Sequence, residues 1–90
     1  MNIGIARDGD WSQAPEWAKW KAQDAEGIWS WFSTKPQPYN FGLYANGTFL
    51  ASGKGKKEQV DKGYTHYLST PNKDWRKTVS KRPTTPKDTL

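Results

Sequence analysis

The sequence contains no cysteine, and its single histidine, His66, has no thiol to act with. Disulfide frameworks, thiolate nucleophiles and the usual one-chain zinc ligand sets are therefore excluded. Aliphatic side chains are scarce too. Hydrophobic residues make up only 33% of the chain, and no apolar run approaches the roughly 18–20 residues needed to cross a bilayer. The amino-terminal MNIGIARDGDW lacks the long apolar stretch of a secretion signal, which leads to the expectation of a cytoplasmic protein without a membrane anchor. Carboxylates are few and scattered. Asp8 and Asp10 flank a glycine, while Asp24 and Glu26 fall in a turn-forming stretch where backbone capping accounts for them. No enzyme activity, cofactor or metal is expected. The loop Gly53-Lys54-Gly55-Lys56-Lys57 lacks the glycine and Lys-Ser/Thr spacing of a P-loop.

What the chain does have is tryptophan. Four of its six indoles lie in WAKWKAQDAEGIWSWF, residues 17–32. A chain of 90 residues removes only about 60–65% of its extended surface from water, so a core must draw on rings that each bury roughly 150–250 Å². Trp20, Trp29 and Trp31 are the expected core. The composition fits one small domain over residues 1–83, with the RPTTPKDTL ending giving a flexible tail at 84–90.

The periodicity predicts a mainly β fold: a curled antiparallel sheet of four or five short strands built from hairpins, with a short C-terminal helix. In residues 17–32, Ala18, Trp20 and Ala22 alternate with Lys19, Lys21 and Gln23. Asp24-Ala25-Glu26-Gly27 supplies turn chemistry, and Trp29 and Trp31 share a face of the returning strand. With all four turn residues in the loop, Ala22 faces Trp29 and Trp20 faces Trp31, which gathers the apolar groups on one side. A three-residue loop would instead set Trp29 opposite Gln23 and Trp31 opposite Lys21. The first register is expected because it buries more indole. A helix is the competing reading, since Trp17 and Trp20 stand three apart.

Lys35-Pro36-Gln37-Pro38 reads as a linker or edge crossing. In NFGLYANGTFLASG, Asn46-Gly47 sits between two alternating runs and predicts a two-residue type I′ turn that pairs Tyr44 with Phe49 and Leu43 with Leu50. Residues 63–69 read as a further strand with Tyr64, His66 and Leu68 on one side. Thr70 and Pro71 open one or two helical turns that place Trp75 and Val79 on one stripe.

Charge is uneven. Residues 1–45 sum to −1 and residues 46–90 to +6. Two uses of this surface are expected. In the first, the chain is a non-enzymatic module that binds a regulatory or other partner protein, with Trp17, Tyr44, Phe49 and Trp75 as apolar anchors and the lysines of the second half steering the encounter. In the alternative, it binds single-stranded DNA or RNA. Sheet aromatics, among them Tyr44, Phe49, Tyr64 and Tyr67, would then stack on bases, and Lys54, Lys56, Lys57, Lys62, Arg76 and Lys77 would meet phosphates. Self-association into a homo-oligomer is a third use of exposed aromatics.

Two resemblances attach to these residues. Trp20 before a glycine-containing turn, followed by Trp29, Trp31 and Phe32, locally resembles a WW domain, but no second signature tryptophan with a terminal proline follows. The order Pro15-Glu16-Trp17-Ala18, Gln23-Asp24-Ala25-Glu26-Gly27, Trp29-Ser30-Trp31-Phe32 with Lys35-Pro36, then Asp74-Trp75-Arg76 and Lys81-Arg82-Pro83 is similar to small uncharacterised proteins encoded by tailed bacteriophages. That resemblance implies either a protein without an assigned role or an early protein that acts on a host protein in the host cytoplasm.

Overall fold

A computed structural model describes residues 9–41, 46–61 and 70–83. The fold is mainly β, in two antiparallel sheets. The larger has four strands: β1 (Trp20–Gln23), β2 (Trp29–Phe32), β5 (Lys57–Gln59) and β6 (Ser80–Lys81), in the order β5-β2-β1-β6. The smaller pairs β3 (Gln37–Phe41) with β4 (Asn46–Leu50). The helical content of the described residues is limited to 3-10 turns at Trp11–Gln13 and Trp75–Thr78. The expected C-terminal helix is thus a single tight turn, ended where Val79 turns extended and leads into β6.

The β1–β2 hairpin forms in the register that hydrophobic burial disfavoured. Trp20 faces Phe32, Lys21 faces Trp31, Ala22 faces Ser30 and Gln23 faces Trp29. The turn decides it. The Asp24 carboxylate accepts from the amides of Glu26 and Ile28, each at 3.0 Å, and Asp24 N–H donates to the Ile28 carbonyl. Asp24 therefore closes the ladder and leaves a three-residue loop. Gly27 takes φ +95°, the left-handed conformation that such a loop needs at its last position and that glycine adopts without steric cost. Tertiary bonds lock the loop, with Ala25 N–H donating to Gly47 O and Asn72 N–H to Ala25 O.

This register gives the hairpin two apolar faces. The inner face carries Ala22 and Phe32, which join Ala25, Phe49 and Trp75 in the core, with Trp20, Ala51 and Val79 packed against it. Burying each of the three core rings stabilises the fold by roughly 1.5–3 kcal/mol. The outer face carries Trp29 and Trp31. Trp31 is buried because Trp11 folds over it, ring centroids 5.4 Å apart. Trp20 and Trp29 are only partly buried, so of the three expected core tryptophans Trp31 alone is fully enclosed.

Asn46-Gly47 is not a turn. Both residues lie in β4, where Gly47 faces Asn40, Phe49 faces Pro38 and Leu50 faces Gln37. Phe49 and Leu50 thus take Pro38 and Gln37 as partners in place of the expected Tyr44 and Leu43, which lie outside the described residues. Gly47 serves packing instead: a Cβ there would fall within 2.7 Å of three atoms of the Trp75 indole. Glycine in a strand marks such a close approach. The proline stretch is likewise not a free linker, since Pro36 is fully buried and Pro38 lies in β3 of the two-stranded sheet, where an edge tolerates a residue without an amide donor. Tyr44, Lys62, the predicted strand at 63–69 and the tail at 84–90 lie outside the described residues.

Candidate functional site

The strand directions gather basic residues at one end of the four-stranded sheet. There β1 begins, β2 ends, β5 begins and β6 ends. Backbone bonds carry the ladder past the strands: Lys19 N–H donates to Phe32 O, Ser33 N–H to Lys56 O and Arg82 N–H to Lys19 O. The Ser33 hydroxyl accepts from Lys56 N–H at 2.7 Å. Lys19, Lys35, Lys54, Lys56 and Lys81 are all exposed at this end. The nearest acidic residue in sequence is Glu58, two residues after Lys56 and opposite Trp31 in the β2–β5 pair. At the opposite end Asp24, Glu26 and Asp61 share the surface with Arg76 and Lys77 of the Trp75 turn, so the cluster without interspersed carboxylates is the one at the first end.

Indoles are interleaved with these cations. The Lys56 ammonium lies 4.8 Å from the Trp17 ring centroid, and Lys35 lies 5.7 Å from that of Trp20. Such contacts contribute about 0.5–1 kcal/mol each at exposed sites. Arg82 positions the segment that carries Trp17. Its guanidinium donates to the carbonyls of Pro15 and Ala18 at 3.0 and 2.9 Å and lies 5.7 Å from the Trp11 ring.

Further along the outer face, Lys21 is committed to structure. Its ammonium lies 5.1 Å from Trp11 and 5.4 Å from Trp29 and donates to Gly9 O at 2.6 Å. The aliphatic stem of a lysine covers apolar surface while its charge finds a polar partner, which is how Lys21 sits opposite Trp31 without cost to the hairpin. Asp10 caps the Trp11 turn by accepting from Ser12 N–H. That bond chiefly, with Lys21 adding to it, holds the Asp10 carboxyl below its ordinary pKa.

The expected phosphate-binding residues separate. Lys54 and Lys56 remain together at the basic end. Lys57 follows them in sequence but points to the inner face, where its ammonium donates to Phe49 O at 2.7 Å and Thr48 Oγ1 at 3.2 Å, 5.6 Å from the Phe32 ring. Although Lys57 is exposed as a whole residue, burial around its head lowers its pKa, against an opposing effect from Asp24. Asp24 itself is raised, by burial above all, and its two amide bonds oppose the rise. Arg76 and Lys77 belong to the Trp75 turn, which bonds to β1 at Gln23 through Thr78, near the other end of the sheet. Arg76 stacks 4.6 Å over Trp75 and donates to Asn40 Oδ1.

The expected apolar anchors also divide. Trp17 is partly buried and sits at the basic end. Phe49 and Trp75 are not surface anchors: they pack edge to face at 5.1 Å and are 2% and 4% exposed. Gly47 makes room for the indole, and so few aliphatic residues are present that both rings are drawn into the core. Lys19, Lys35 and Lys81 escaped sequence reasoning. Lys19 and Lys35 flank the hairpin, and closing its ends was the signal that would have found them.

Among the described residues no group of three or more His, Cys, Asp or Glu side chains is placed to hold a metal ion, and no helix is long and apolar enough to cross a membrane. No family model, curated protein or solved structure matches the chain.

Proposed function

We propose that the chain binds single-stranded nucleic acid across the basic end of its four-stranded sheet. The observation that carries this reading is the interleaving of exposed lysines with partly buried indoles, above all Lys56 against Trp17 beside Lys54 and Lys19. Phosphates demand cations, and a splayed strand offers bases whose faces stack on aromatic rings whatever their sequence. The row of lysines stands ready for about three to five phosphates. For single strands the logarithm of affinity then falls against the logarithm of salt with a slope of roughly −2 to −3.5.

The test is a fluorescence-anisotropy titration of labelled oligo(dT) with the full chain over a series of salt concentrations. The expected result is that slope, made shallower by about 1.4 in K54E/K56E, since two phosphate contacts are lost. Saturable binding insensitive to salt, or to the double charge reversal, would sink the reading. Contact with a host or regulatory protein is the competing outcome. Of its four expected anchors, Trp17 is the described residue that stays at the surface. Retention of a discrete protein by the immobilised chain after nuclease digestion, with no oligonucleotide affinity, would favour that account.

A further inference from the structure

The two-stranded sheet has an outer face turned away from the core. Gly47 and Phe49 of β4 face inward, and alternation places Thr48 and Leu50 on the opposite side with their partners Tyr39 and Gln37. Tyr39 is 50% exposed and Leu50 46% exposed, and across an antiparallel pair they stand on one diagonal. This is the most open aromatic surface among residues whose burial is described, since Trp11, Trp17, Trp20 and Trp29 are all at least partly buried.

A cation is built into its border. The Lys57 ammonium donates to the hydroxyl of Thr48, the residue directly opposite Tyr39. With the bond to Phe49 O, two of its three donors are used. The outer face also adjoins the basic end, because the chain runs from Lys35 through Pro36 into β3 and from β4 through Ser52 to Lys54. Ser52 ties the two crossings by donating from Oγ to Lys35 O at 2.7 Å.

We infer that Tyr39 is a base-stacking residue, on which an unpaired nucleobase lies while its flanking phosphates meet the exposed lysines at 35 and 54. The inference rests on the single-strand reading above and extends its footprint from the basic end of the larger sheet onto the smaller one. Charge complementarity selects the occupant: a half-exposed phenol ring with one ammonium at the neighbouring Thr48 and exposed lysines where the chain enters and leaves its sheet suits a π-face attached to an anionic chain.

The experiment compares wild type, Y39A and Y39F for binding of labelled oligo(dT) over a salt series, with an unlabelled duplex of equal length as competitor. Melting curves of all three proteins verify that the fold is retained. Tyr39→Ala should weaken binding by about 5- to 100-fold and leave the salt slope unchanged, because stacking neutralises no phosphate. Tyr39→Phe should bind as wild type does. The inference is overturned if wild type binds the oligonucleotide and Y39A binds equally well, or if duplex competes as well as single strand. If wild type binds no oligonucleotide, the function proposed above falls first and this inference with it.

Discussion

Replacing Gly47 by alanine tests the packing of the two sheets at a single atom. Gly47 lies in extended β4 and is not among the positive-φ glycines, so alanine meets no backbone penalty. In open space it would gain about 0.5–1 kcal/mol from the lower entropy of its unfolded chain. The added methyl, however, would fall within 2.7 Å of three atoms of the Trp75 indole. That ring cannot easily retreat, being 4% exposed, set edge to face against Phe49 and covered by Arg76. Overpacking of this kind costs roughly 1–3 kcal/mol. The net loss should be about 1–2 kcal/mol, a fall of roughly 4–16 °C in melting temperature for a domain of this size. Circular dichroism melts and urea titrations of G47A, W75F and G47A/W75F would measure it. A phenyl ring does not extend as far as the indole, so the double variant should be more stable than additivity allows, by about 1 kcal/mol. If Gly47 instead occupied the i+2 position of a type I′ turn, alanine would also destabilise, but shrinking Trp75 would bring no relief. A G47A protein that melts at or above wild type, or a coupling near zero, would refute the packing described.

Two further predictions concern the groups that join the elements. Asp24→Ala should cost about 1–3 kcal/mol by denaturant titration, because it removes the acceptor for two amides, whereas Asp24→Asn keeps an acceptor oxygen. The raised pKa of Asp24 means that the folded chain holds this proton more tightly than the unfolded chain does. Its contribution therefore increases stability as pH falls from above the folded pKa to the ordinary aspartate value, where the gain is complete. The stability difference between wild type and D24N should shift in favour of wild type over that window, and a difference that is flat with pH would contradict it. Lys57→Gln should lower stability by about 1 kcal/mol through its lost bonds to Phe49 O and Thr48 Oγ1. Lys54→Gln should change it by less than about 0.5 kcal/mol, and equal effects in urea titrations would count against the inward placement of Lys57.

The β class and the first hairpin were legible in WAKWKAQDAEGIWSWF, because alternation and a turn rich in Asp and Gly act locally. Its register was not. Counting indoles on one face supposes that the other is wet, and Trp11, distant in sequence, covers that other face while the Lys21 stem fills it. Asn46-Gly47 misled for a related reason: glycine permits a turn but also permits an indole to lie against bare backbone, and Trp75, 28 residues further along the chain, decides between them. Of the candidate surface, Trp17, Lys54 and Lys56 were visible in sequence. Their neighbours Lys19, Lys35 and Lys81 become neighbours only when strand ends align, and Tyr39 is exposed only because Phe49 and Gly47 take the inward face of β4.

Lysines and arginines resting on indoles tie two properties that proteins usually set independently. Trp11, Trp17, Trp20 and Trp29 are each capped by a cation that also supplies part of the net charge of +5. A neutral substitution made to reduce charge at Lys21, Lys35 or Lys56 would at the same time uncover aromatic surface. Solubility in this chain is thus carried by the same side chains as its local packing, and a drift in sequence toward lower charge would bring stickiness with it unless the paired ring changed too.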